Sequence, residues 1–109
     1  MSDAPFVTSL RSRPTMVRLV PETTPSIAIR VEMPEVWDVV SLAVEPATPV
    51  LTVKTRALEV LYPEARTHTE FVVKFRGWDI LDESASLADV GVVDGSILLL
   101  TFRHRRPVR

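Results

Sequence analysis

The chain has no cysteine, only three glycines and two histidines, and few aromatics: two tryptophans, one tyrosine and four phenylalanines. Without cysteine there are no disulfides and no thiolate-held metal. Three glycines are too few for a glycine-rich phosphate cradle. The histidines, His68 and His104, stand at no ligand spacing from each other or from a carboxylate cluster, so they read as surface side chains. No apolar run approaches the roughly 18 residues of a membrane span. The opening stretch, MSDAPFVTSLRSRPT, has no apolar signal-peptide core, so a cytoplasmic location is expected. Charge of one sign is also lacking: the net charge is −1, which gives no global pull toward nucleic acid. G-x-S-x-G, P-loop, H-E-x-x-H and G-x-G-x-x-G signatures are all missing. The expectation is a protein that is not an enzyme and needs no cofactor and no metal.

What is present is alternation. In the stretch from Phe71 to Arg103, Phe71, Val73 and Phe75 face one side of a strand and Val72, Lys74 and Arg76 the other. Gly77 breaks that strand. A polar connection and a compact Leu87–Val92 turn follow, and Asp94-Gly95 marks a second turn. Ser96 to Phe102 is the most apolar strand. Earlier, Ile27, Ile29 and Val31 alternate with Ala28, Arg30 and Glu32. Pro34-Glu35 turns the chain, and Val40, Leu42 and Val44 then alternate with Val39, Ser41 and Ala43, predicting a β-hairpin. Thr48-Pro49 reads as a helix start, with the threonine as N-cap and the proline in the first turn. Val50, Val53, Ala57 and Val60 or Leu61 form an apolar stripe, with Lys54, Thr55, Arg56 and Glu59 mostly on the opposite face. Tyr62-Pro63 ends the helix.

The order hairpin, helix, strand, loop, strand predicts an α+β domain over residues 26–103, a mixed sheet of four to five strands with one helix packed across it. Residues 1–25 carry four of the nine prolines and are expected to form a flexible arm, with a short strand over 16–20 that adds to a sheet edge in this molecule or in another copy. Residues 104–109 are expected to be a basic tail. Arg103, Arg105, Arg106 and Arg109 read as a solubilising end, or as a contact for an anionic surface.

F-x-G, then an acidic connection, then Ser86-Leu87-x-Asp89-x-Gly91-Val92-x-Asp94-Gly95-Ser96-x-Leu98-x-Leu100 resembles the second half of a ubiquitin-like β-grasp domain. Ala43-Val44-Glu45-Pro46 resembles the approach to the helix in ubiquitin itself. The GVVDGS version is most similar to bacterial ubiquitin-like domains of type VII secretion systems, the YukD/EsaB-like proteins and the cytoplasmic start of EccD. The resemblance implies a β-grasp fold and a bacterial protein–protein interaction module, accessory or regulatory to such a system. It also implies an alternative, a ubiquitin-like modifier of a conjugation pathway. Against that alternative, Arg106-Pro107 stands where modifiers carry a diglycine.

Alternation on the last strand sends Leu98, Leu100 and Phe102 to the core and leaves Ile97, Leu99 and Thr101 outward, beside Val72. With Lys74, Arg76 and Trp78 these are the expected partner-binding residues. The bland alternative is that the arm at 16–20 covers them. Lys74, Arg76 and Arg30 supply an expected basic rim suited to an acidic partner. Lys74 and Thr101 occupy the positions of the isoleucine and valine of ubiquitin's binding patch, so ordinary ubiquitin-recognition modules are not expected to bind. Trp37 is expected to cap the rim of the core, and Trp78 to cap it or to anchor a partner. Asp79, Asp82 and Glu83 offer oxygen ligands, but at no EF-hand spacing, and read as a solvated acidic loop.

Overall fold

The structure is a computed structural model in which residues 16–21 and 23–103 are described. Most of the 1–25 arm and the tail 104–109, with Arg105, Arg106, Arg109 and His104, lie outside them. The elements are β1 (Val17–Arg18), β2 (Ile27–Met33), a 3-10 turn (Pro34–Val36), β3 (Asp38–Val44), α1 (Val50–Leu61), a 3-10 turn (His68–Glu70), β4 (Phe71–Phe75), β5 (Trp78–Asp79) and β6 (Ile97–Phe102). They form one mixed sheet ordered β1-β3-β2-β6-β4-β5. The central pair, β2 and β6, runs parallel, and β2 and β4 pair antiparallel with β3 and β6.

The sheet has six strands rather than four to five. The two edge strands are each two residues long; the first lies within the short strand expected over 16–20, and the second is the addition. Val17 and Arg18 pair parallel with Leu42 and Ala43 of the same chain, so this segment extends the molecule's own edge. Trp78 and Asp79 return along β4 through a two-residue turn. Arg76 (φ 56°) and Gly77 (φ 86°) are both left-handed there, as a type I′ hairpin turn demands.

One face of the sheet is dry. Ile29, Val31 and Met33 of β2, Val40, Leu42 and Val44 of β3, Phe71 and Val73 of β4, and Leu98 and Leu100 of β6 are buried against α1. The helix contributes Val50, Val53, Ala57, Leu58 and Leu61. Burying each large aliphatic is worth about 1.5–3 kcal/mol, which is why the period-2 and period-3.6 patterns converge on one core. Among the described residues no helix is long and apolar enough to cross a membrane.

Two helix expectations need correction. Pro49, in extended backbone, is the N-cap residue, and no side chain caps the helix. The free N–H groups of Val50 and Leu51 instead donate to the carbonyls of Ala85 and Glu83, so the acidic connection caps the helix with its backbone. Lys54 is not on the solvent face but fully buried. Four residues from Val50 and from Leu58, it lies on the buried stripe by helical geometry. Its charge is tolerated because Glu83 meets it at 2.7 Å.

Candidate functional site on the open sheet face

The face away from α1 is built by the alternate residues of the same strands. The ladder register aligns them in rows. Ser41, Arg30 and Ile97 stand side by side across β3, β2 and β6. The next row is Val39, Glu32, Leu99, Lys74 and Asp79 across β3, β2, β6, β4 and β5. Beyond it, Thr101 faces Val72. The aliphatic centre is Ile97, 47% exposed, next to half-buried Leu99, with Val39 at 38% exposure further along. Arg30 is exposed and Glu32 half-buried, and neither makes an ion pair with another described residue.

The structure therefore brings Ile97, Leu99, Thr101 and Lys74 together on one face. Several details differ from expectation. Val72 is 2% exposed and offers nothing to a partner. That end of the face is closed by Glu35, which accepts from the Thr101 hydroxyl and from the Phe102 N–H. The rim is mixed rather than basic. Lys74 Nζ is 2.9 Å from Asp79 Oδ1, the Arg76 guanidinium lies over the Phe75 ring, and Glu32 sits between Val39 and Leu99. Arg103 is tied to the carbonyl oxygens of Thr69 and Phe71, so it belongs to the folded edge rather than to a tail. Met16 reaches the border of the face, beside Ala28, Arg30 and Ser41, and among the described residues no further segment lies across Ile97.

The tryptophans stand apart. Trp37 is 94% exposed at the tip of the β2–β3 hairpin, with φ 57° and ψ 41°, so it does not cap the core. Trp78 is 79% exposed on the opposite edge. It shares an open groove of about 530 Å³ with Phe75, Ile80, Leu81 and Val90. Leu81 is 82% exposed, and as a lone leucine in a polar connection it carries no periodicity that would point to it in the sequence.

The three loop carboxylates do not converge. Asp79 pairs with Lys74, and Glu83 pairs with Lys54. Asp82 accepts from the Ser84 hydroxyl and N–H, which hold its carboxyl below the usual range, the hydroxyl contributing most. Among the described residues no group of three or more metal-ligating side chains is assembled.

The arrangement as a whole, a helix across a mixed sheet with parallel central strands, is the ubiquitin-like β-grasp fold. No known protein-family profile matches the chain, and no curated protein is similar to it in sequence. Solved structures are similar in fold. The ubiquitin-like domain of an Arabidopsis thaliana protein superposes with TM-score 0.63 at 12% identity, over 84% of this chain and 92% of that one. Ubiquitin of Caldiarchaeum subterraneum gives TM-score 0.63 at 19% identity, over 76% and 100%. The ubiquitin-like domain of Plasmodium falciparum Dsk2 gives 0.61 at 23%, over 72% and 99%.

Proposed function

We propose that the chain is a non-catalytic ubiquitin-like module that acts by binding other proteins through its open sheet face. The observation that carries this reading is the exposed aliphatic pair Ile97 and Leu99, flanked on neighbouring strands by Arg30, Glu32 and Lys74. An apolar centre with a charged border is the anatomy of a protein interface, and a small domain rarely leaves such a patch without a use. In finer terms, the module is a bacterial, cytoplasmic accessory of a type VII-like secretion system. The support for that role is the resemblance of Gly91–Ser96 to the ubiquitin-like domains of those systems.

The test is Leu99→Arg. Leu99 is outward and only half-buried, so the fold is retained while the apolar centre is lost. Purified components of such a secretion apparatus are measured against immobilised wild type and variant, with thermal melts of both. The expected result is binding of at least one component, weakened about tenfold or more by the substitution, at unchanged melting temperature. Equal binding by wild type and variant removes the open face as the interface, and binding of no component removes the secretion-system role.

A further inference from the structure

The open face is charge-polar along its central strand. Arg30 and Glu32 occupy adjacent outward positions of β2, and neither is paired with another described residue. Beside them on β6 stand Ile97, in the row of Arg30, and Leu99, in the row of Glu32. We propose that a second copy of this chain docks on this face with its β2 antiparallel to the first, Arg30 of each copy meeting Glu32 of the other around Ile97 and Leu99. The inference rests on the open face being the binding surface and names its partner.

The register makes the patch self-complementary. A closed pair of identical subunits uses a two-fold axis, so each contact occurs twice. Place that axis between two stacked sheets, perpendicular to β2 and level with Val31. The axis reverses strand direction and exchanges the two rows. Arg30 then lies over the other copy's Glu32, and Ile97 over the other copy's Leu99. Val39, likewise, faces Ser41. The aliphatics meet each other and both unpaired charges are neutralised. Sheets stacked face to face lie about 10 Å apart, a gap that side chains of this size fill from both sides. The other in-plane two-fold, parallel to β2, leaves each row facing itself. It sets Arg30 against Arg30 and Glu32 against Glu32, which like-charge repulsion disfavours. Lys74 comes over the turn at the other copy's Arg76, but it is already held by Asp79 and that guanidinium is turned onto its own Phe75 ring.

The test is a charge exchange read by sedimentation equilibrium on the full chain, from micromolar to millimolar concentration. Wild type is expected to associate to a dimer. Arg30→Glu and Glu32→Lys should each weaken it about tenfold or more, since each places two like-charged contacts in the interface. An equimolar mixture of the two variants should recover wild-type affinity to within about threefold, because every cross-copy contact is again between opposite charges. Circular dichroism melts confirm that both variants are folded, and a misfolded variant cannot give the recovery. A wild type that stays monomeric throughout overturns the inference, and so does a mixture as weak as its components. Neither result touches the broader reading. If Leu99→Arg loses a secretion component while wild type is monomeric, the face binds other proteins and not itself.

Discussion

The buried pair of Lys54 and Glu83 supplies an asymmetric prediction. The lysine is fully buried and the carboxylate 14% exposed, at 2.7 Å. Among the described residues the ammonium's one other hydrogen-bond partner is His68 Nδ1, at 3.5 Å. Glu83 has more: His68 Nδ1 and Arg103 Nη2 each stand 3.9 Å away. Removing the acid strands a charge in the core. Removing the base leaves a carboxylate with some water and two cationic or potentially cationic neighbours. Glu83→Ala should therefore cost about 3–5 kcal/mol, the usual cost of orphaning a buried ion. Lys54→Met keeps most of the side-chain volume and should cost no more than about 1.5 kcal/mol. Adding Lys54→Met to Glu83→Ala should recover part of the loss, because the orphaned charge is gone. Urea unfolding of the three variants measures this. In thermal melts at about 4–8 °C per kcal/mol, Glu83→Ala should fall by about 12 °C or more. If Glu83→Ala is no more destabilising than Lys54→Met, the ammonium reaches water or is uncharged, and the argument is refuted.

Two further expectations concern the turns. Trp37 adopts a left-handed conformation while burying almost nothing. Trp37→Gly should leave stability unchanged or raise it by up to about 1 kcal/mol, because relief of the left-handed cost outweighs the entropy of glycine, and a clear loss in urea unfolding would show that the ring packs in solution. The Asp82 carboxyl is held below its ordinary value by Ser84. A depressed acid stabilises the fold above its unfolded pKa, near 4, and the contribution is lost as pH falls through the folded value. Ser84→Ala should move the Asp82 carboxyl titration, followed by carbon NMR, upward toward the ordinary value, and an unmoved titration would assign the shift elsewhere.

Much of the fold was legible because alternation and helical period report burial directly. The inward set Ile29, Val31, Val40, Leu42, Val44, Phe71, Val73, Leu98 and Leu100 is the period-2 pattern, and Gly77 and Gly95 mark turns whose positive φ favours glycine. Lys54 escaped because its charge outweighed its place on the stripe, and its compensating acid lies in a loop 29 residues away. β1 lies within the short strand expected over 16–20, whereas β5 is too short to show a period. Thr48-Pro49 fits a capping pattern locally, whereas the N–H groups are satisfied by backbone from residues 83–85. For the site, the outward course of Ile97 and Leu99 follows from alternation alone. What stands beside them does not. The Arg30–Ile97 and Glu32–Leu99 rows depend on parallel register, and the Lys74–Asp79 pair depends on the β4–β5 turn. Both are tertiary facts, and they turned an expected basic rim into a mixed one.

The central claim is that the open sheet face is the surface this protein uses. Amide chemical shifts of the full chain, followed by NMR from dilute to concentrated solution, test it most directly. The account predicts concentration-dependent shifts at Arg30, Glu32, Val39, Ile97 and Leu99, with the outward face of Val50–Leu61 unmoved. Concentration-dependent shifts confined to that helix or to the Trp78–Leu81 edge would contradict it, and a spectrum that does not change with concentration would remove self-association while leaving the binding of other proteins standing.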